Sequence, residues 1–202
     1  LGAVKTVIAA RIGSAPNWTW NNWMLVPNLS GGAVIDLHIH DVDIVSWLVG
    51  CPVERISAVA ATSSRGAMDH IDTLITYVDG TVANIQGDWL VPEGYPFTTF
   101  LRVVCDMGTV EYLFRAGRNI EKRNEATSEL VLYTNNGGRQ AIELIERKDA
   151  YFSELEYFID CIERKEHPKT VTPKCARESL RVVLAARKAA EEGGVIRLAG
   201  ET

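Results

Sequence analysis

The feature that most constrains this chain is a change of hydrophobic period near residue 53. From Val53 to Glu146 apolar and polar residues alternate in short runs broken by turn residues, so this stretch is predicted to be sheet. Strands are expected at Ile56–Thr62, Ile71–Val78, Thr81–Trp89, Phe97–Cys105, Thr109–Phe114, Asn119–Arg123, Glu129–Thr134 and Gln140–Ile145. Asp79-Gly80 between two of them is a strong hairpin signal. The flanks read differently. Ala3–Arg11 alternates and opens the chain as a strand, and Val195–Leu198 closes it as a short one. Helices are expected from Ser30-Gly-Gly to Gly50, over Ala150–Lys165 with Phe152, Leu155, Phe158, Ile159 and Ile162 on one face, and from Thr172-Pro173 to Gly193-Gly194. The fold class that follows is α+β: an open, mostly antiparallel sheet with helices packed on one face. Residues 1–202 read as a single domain.

Composition narrows the function classes. The net charge is −5, from 21 Lys and Arg against 26 Asp and Glu, and no basic stripe stands out. Nucleic acid and anionic membrane are therefore poor partners. No apolar run is long enough to span a membrane. Cys51, Cys105, Cys161 and Cys175 are far apart, without a C-x-x-C pair, which fits a reducing, cytoplasmic setting. Neither G-x-G-x-x-G nor a P-loop occurs, so no cofactor-binding residue is expected in this chain. It starts with Leu1 rather than Met and runs almost at once into a strand, which suggests a piece of something longer.

Gly13–Leu29 is irregular and carries Trp18, Trp20 and Trp23. Such rings either stack on a sugar face or cover a sheet edge. The densest polar cluster follows: Asp36-Leu-His38-Ile-His40-Asp41-Val-Asp43. Three readings compete. A metal-dependent hydrolase would use Asp36, His38 and His40, but it needs further ligands, and only His70 and His167 remain among the histidines. On a helix, Asp36, His40, Asp43 and Trp47 fall on one stripe, and an Asp–His pair one turn apart suits proton transfer. A purely structural ion pair or a satisfied core histidine is the third.

Gly31-Gly32-Ala33-Val34-Ile35-Asp36-Leu37-His38-Ile39-His40-Asp41-Val42-Asp43-Ile44-Val45-Ser46-Trp47-Leu48-Val49-Gly50-Cys51-Pro52 resembles the G-G-x-x-x-D-x-x-x-H-x-x-D-x-x-x-W-L-x-G-x-P signature of the glucose–fructose oxidoreductase / inositol dehydrogenase (Gfo/Idh/MocA) family. Leu1–Lys5 resembles the start of that family's second domain, Asp79–Ala83 its hairpin, and Ala176 to Gly193 its terminal helix. Val104–Val110 resembles a strand junction, with Cys105-Asp106 where Gly is usual. The resemblance implies the dihydrodipicolinate-reductase-like C-terminal domain of a two-domain enzyme whose N-terminal Rossmann domain is absent from this chain. It implies NAD or NADP as cofactor, bound by that missing domain, and hydride transfer from a polyol or sugar-like secondary alcohol. Asp36 and His40 match the family's catalytic pair, His40 taking the hydroxyl proton and Asp36 holding it. Asn21 and Tyr95 fall where substrate contacts are expected, and His38 reads as structural. A homodimer or homotetramer through the uncovered sheet face is the expected self-assembly. The rival is a non-catalytic oligomerisation module of the same fold.

Overall fold

The computed structural model describes residues 1–116, 126–143 and 150–198. Nine strands form one open sheet in the order β8-β7-β6-β5-β1-β4-β3-β2-β9. The strands are β1 (Val4–Ile12), β2 (Val53–Thr62), β3 (Met68–Tyr77), β4 (Val82–Asp88), β5 (Thr98–Cys105), β6 (Gly108–Arg115), β7 (Thr127–Thr134), β8 (Arg139–Ala141) and β9 (Val195–Arg197). Neighbours run antiparallel except β1 and β4, which pair in parallel from Thr6 with Val82 to Ile12 with Asp88. The strand expected at Asn119–Arg123 lies outside the described residues; of Gln140–Ile145, Gln140 and Ala141 are strand, Ile142 and Glu143 are not, and the last two residues lie outside the described ones.

Local chemistry explains the turns. At Asp79-Gly80 the glycine takes φ 86°, and the Asp79 carboxylate accepts the Thr81 N–H at 3.0 Å. The Thr81 hydroxyl then donates to the Val4 carbonyl at 3.1 Å, which ties the hairpin to the start of β1.

The segment expected as one helix is interrupted. It forms α1 (Pro27–Ser30), α2 (Gly32–Asp36) and α3 (His38–Val49), with left-handed Gly31 between the first two and Leu37 between the last two. Ser30 Oγ accepts the Gly32 N–H at 3.1 Å. Two further helices follow, α4 (Ala150–Arg164) and α5 (Pro173–Glu192). The Thr172 side chain caps α5 by accepting the Cys175 N–H.

Alternation along the strands sets the core. Ile71, Thr73, Ile75 and Tyr77 of β3 and Ala83 and Ile85 of β4 are fully buried on one face. Val34, Val42 and Val45 pack into the same cluster from α2 and α3, and Val182, Val183 and Ala186 from α5. The opposite face leaves Ile8, Leu74, Val82 and Val59 exposed beside Asn84. Helix α4 behaves otherwise: Phe152, Leu155, Phe158, Ile159 and Ile162, the expected apolar stripe, are all more than half exposed.

Candidate active site

Because β1 and β4 are parallel, the loops that follow them leave the same end of the sheet. The Gly13 N–H bonds the Asp88 carbonyl at 3.0 Å where the two strands finish. The Asn17 side chain donates to Glu93 Oε1 at 2.7 Å and clasps the loops together. A second, smaller core seals this end. Ala33, Leu37 and Trp89 are buried, with Ala15, Met24 and Phe97 packed against them. The loops carrying Asn21 and Tyr95 are thus set against the helix junction that carries Asp36 and His40. Asn21 is exposed, in the left-handed region at φ 52°, and Tyr95 is half-buried. No hydrogen bond joins these two to each other or to Asp36 or His40 among the described residues.

The α2–α3 junction sorts its polar residues by face. His38 points in and is fully buried. Its Nε2 shares a 3.0 Å hydrogen bond with the Thr73 hydroxyl, while Nδ1 has no partner. Burial alone pushes the His38 pKa down to about 4, so the ring is neutral at pH 7. It fits because residue 87 is glycine: a Cβ there would stand 2.9 Å from the His38 Cβ. Asp41 also points in, and Arg11, at the end of β1, grips it with two bonds of 2.9 and 3.2 Å. Burial pushes the Asp41 carboxyl up, and the Arg11 guanidinium pulls it back. Asp69, equally buried, is held by Arg65 and accepts the Ala33 N–H at 3.4 Å. These clamps fix α2 and α3 to the strand ends.

Asp36 and His40 face outward. His40 is exposed and Asp36 half-buried. Burial raises the Asp36 pKa, and His40 one turn on lowers it in part. The two sense each other electrostatically without a direct bond, which leaves His40 accessible to a substrate. His38 and His40 leave α3 on opposite sides, so Asp36, His38 and His40 do not converge on a metal. Among the described residues no group of three His, Cys, Asp or Glu is placed to hold one. A groove of about 570 Å³ opens elsewhere, between the second half of α3 and the start of α5, lined by Trp47, Pro52, Val171 and Cys175. It contains neither Asp36 nor His40.

Sequence reasoning did not single out Arg11, Arg65 or the pairing of His70 with Asp72 and Asp88, each at 3.0 Å. The usable signal was the carboxylates: a buried Asp41 requires a cation, and Arg11 ends the adjacent strand.

An open, mostly antiparallel sheet with helices over one face is the architecture of the C-terminal half of known oxidoreductases. The family model for the GFO/IDH/MocA C-terminal domain matches residues 1–111. The chain belongs to this family of oxidoreductases. It is 26% identical over 176 residues to D-xylose 1-dehydrogenase (NADP(+)) 2 of Haloferax volcanii, covering 85% of this chain and 50% of that protein. Two solved structures share the fold. Aldose-aldose oxidoreductase from Caulobacter crescentus, complexed with glycerol, superposes with a TM-score of 0.78 at 22% identity, over 98% of this chain and 56% of that one. The WlbA dehydrogenase from Bordetella pertussis, in complex with NADH and UDP-GlcNAcA, gives 0.71 at 20%, over 99% and 56%. The chain spans about half the length of these relatives. No helix among the described residues is long and apolar enough to cross a membrane.

Proposed function

We propose that residues 1–202 are the C-terminal, substrate-binding domain of an NAD(P)-dependent oxidoreductase acting on a neutral sugar or polyol. The observation that carries this reading is the outward Asp36–His40 pair at the end of the sheet where the β1 and β4 loops meet. The pair lies outside the groove between α3 and α5, and the rest of the substrate pocket is assigned to the cofactor domain. Among the described residues β1 runs into a tryptophan-rich segment with a short 3₁₀ turn at Trp20–Leu25, not into a glycine-rich turn and a long helix whose N-terminus would hold a pyrophosphate. NAD or NADP, which would supply the hydride acceptor, is therefore assigned to a separate Rossmann domain.

His40 takes the proton of the substrate hydroxyl as the carbinol carbon gives up its hydride. Asp36 steadies the imidazolium that forms and relaxes its own raised pKa as it does so. Asn21 and Tyr95 contact the substrate from the two loops. The open sheet face, with Ile8, Leu74 and Val82 exposed, buries against a second copy, and the protein works in the cytoplasm.

Titration of this chain with NADH and NADPH, followed by fluorescence, tests the division of labour. No binding at micromolar concentration is expected; micromolar affinity would place the cofactor site here and overturn it. Light scattering at micromolar concentration tests the sheet face, with a discrete dimer or tetramer expected and a clean monomer contradicting it.

A further inference from the structure

The tryptophan loop has an arrangement that the core does not explain. Trp20 is 82% exposed, the most of any large hydrophobic side chain among the described residues, and Trp18 is 73% exposed. They do not cover the sheet edge. The loop is nevertheless held: Asn17 is bonded to Glu93, the Asn22 N–H to the Thr19 carbonyl at 2.8 Å, and Met24 is packed on the small core. Asn21 and Asn22 are consecutive left-handed residues, at φ 52° and 51°. Backbone of this kind is uncommon outside glycine and tends to mark functional positions. Here it turns the chain between Trp20, which faces water, and Met24, which faces the protein.

The chemistry of the loop selects its occupant. Indoles alternate with amides through Asn17-Trp18-Thr19-Trp20-Asn21-Asn22-Trp23. The Asn21 and Asn22 side chains are exposed and make no hydrogen bond among the described residues. A pyranose ring has the complementary make-up, with a CH face that stacks on an aromatic plane and a rim of hydroxyls for amides. The stretch between Arg11 and Asp36 contains no charged residue, so nothing on it answers a phosphate or a carboxylate. We infer that Trp18 and Trp20 form a subsite for a second, uncharged sugar ring, beside the ring presented to Asp36 and His40, so that the substrate is a disaccharide or glycoside. This rests on the sugar-binding reading of the site.

Binding of D-xylose and xylobiose to the full enzyme, with its cofactor domain, measured by saturation-transfer NMR and tryptophan fluorescence, tests it. Xylobiose is expected to bind about five- to ten-fold more tightly than xylose. Trp20→Ala should remove that advantage and leave xylose affinity unchanged, and Trp20→Phe, which keeps a ring, should restore most of it. Equal affinity for the two sugars would overturn the second subsite while leaving the sugar site standing. No binding of either would overturn both. A blue shift of the tryptophan emission with rising protein concentration would show a second copy on the loop and would also overturn it.

Discussion

The two faces of the α2–α3 segment differ in how their polar groups are satisfied. Inward, Asp41 is locked by Arg11 and His38 by Thr73, and both are buried. Outward, the Asp36 and His40 side chains have no hydrogen bond or ion pair among the described residues. Groups that are buried and paired hold the structure and are costly to disturb. Groups left outward and unpaired add little to stability and remain free for chemistry. The sequence places both kinds within six residues, so burial and not residue type separates their roles.

The widest gap between the faces is expected at Arg11. Arg11→Met leaves Asp41 buried without its cation and should cost about 3–5 kcal/mol by urea unfolding. A loss no larger than that of a surface substitution would mean the inward clamp is not structural.

Acid should then act through His38. Its folded pKa of about 4 lies below the ordinary 6.5, so between these values the unfolded chain binds more protons. Its contribution is intact above pH 6.5 and falls as the pH drops through 4, by about 3 kcal/mol in all. His38→Gln should flatten this part of the profile, read from urea midpoints at pH 4.5 and 7. His70 works with the opposite sign. Its bonds to Asp72 and Asp88 raise its pKa against the opposing effect of burial, so its stabilisation is present at low pH and fades as the pH rises through its folded value.

Gly87→Ala is a smaller perturbation of the inward face. The new Cβ meets the His38 side chain and should cost about 1–3 kcal/mol by overpacking. On the outward face Asp36→Asn should change stability by no more than about 0.5 kcal/mol, slightly upward at pH 7. The sign follows from the raised pKa: the fold disfavours the ionised carboxylate that the substitution removes. A clear loss would show that Asp36 is a structural partner after all.

Local signals carried most of the fold into the sequence. Asp79-Gly80 gave the hairpin and Thr172-Pro173 the start of α5, because turns and caps are decided by a few neighbouring residues. The break at Leu37 was hidden, since apolar periodicity runs straight through it. The parallel pairing of β1 with β4 joins segments some 76 residues apart, and no local pattern records it; yet it is what brings the Asn21 and Tyr95 loops to one end. The α4 stripe was legible as amphipathic, but periodicity does not say what covers it. At the site, the helical spacing of Asp36 and His40 was readable because i and i+4 share a face. Arg11 was not, because ion pairing depends on the tertiary neighbour.

The central claim is that His40, and not His38, handles the substrate proton. The direct measurement is steady-state kinetics of the full enzyme, with its cofactor domain, carrying His40→Ala, alongside its unfolding curve. A fall in kcat of about 10²- to 10⁴-fold with stability nearly unchanged is expected, and a lesser fall for Asp36→Asn. Near-normal turnover in a folded His40→Ala enzyme would contradict it.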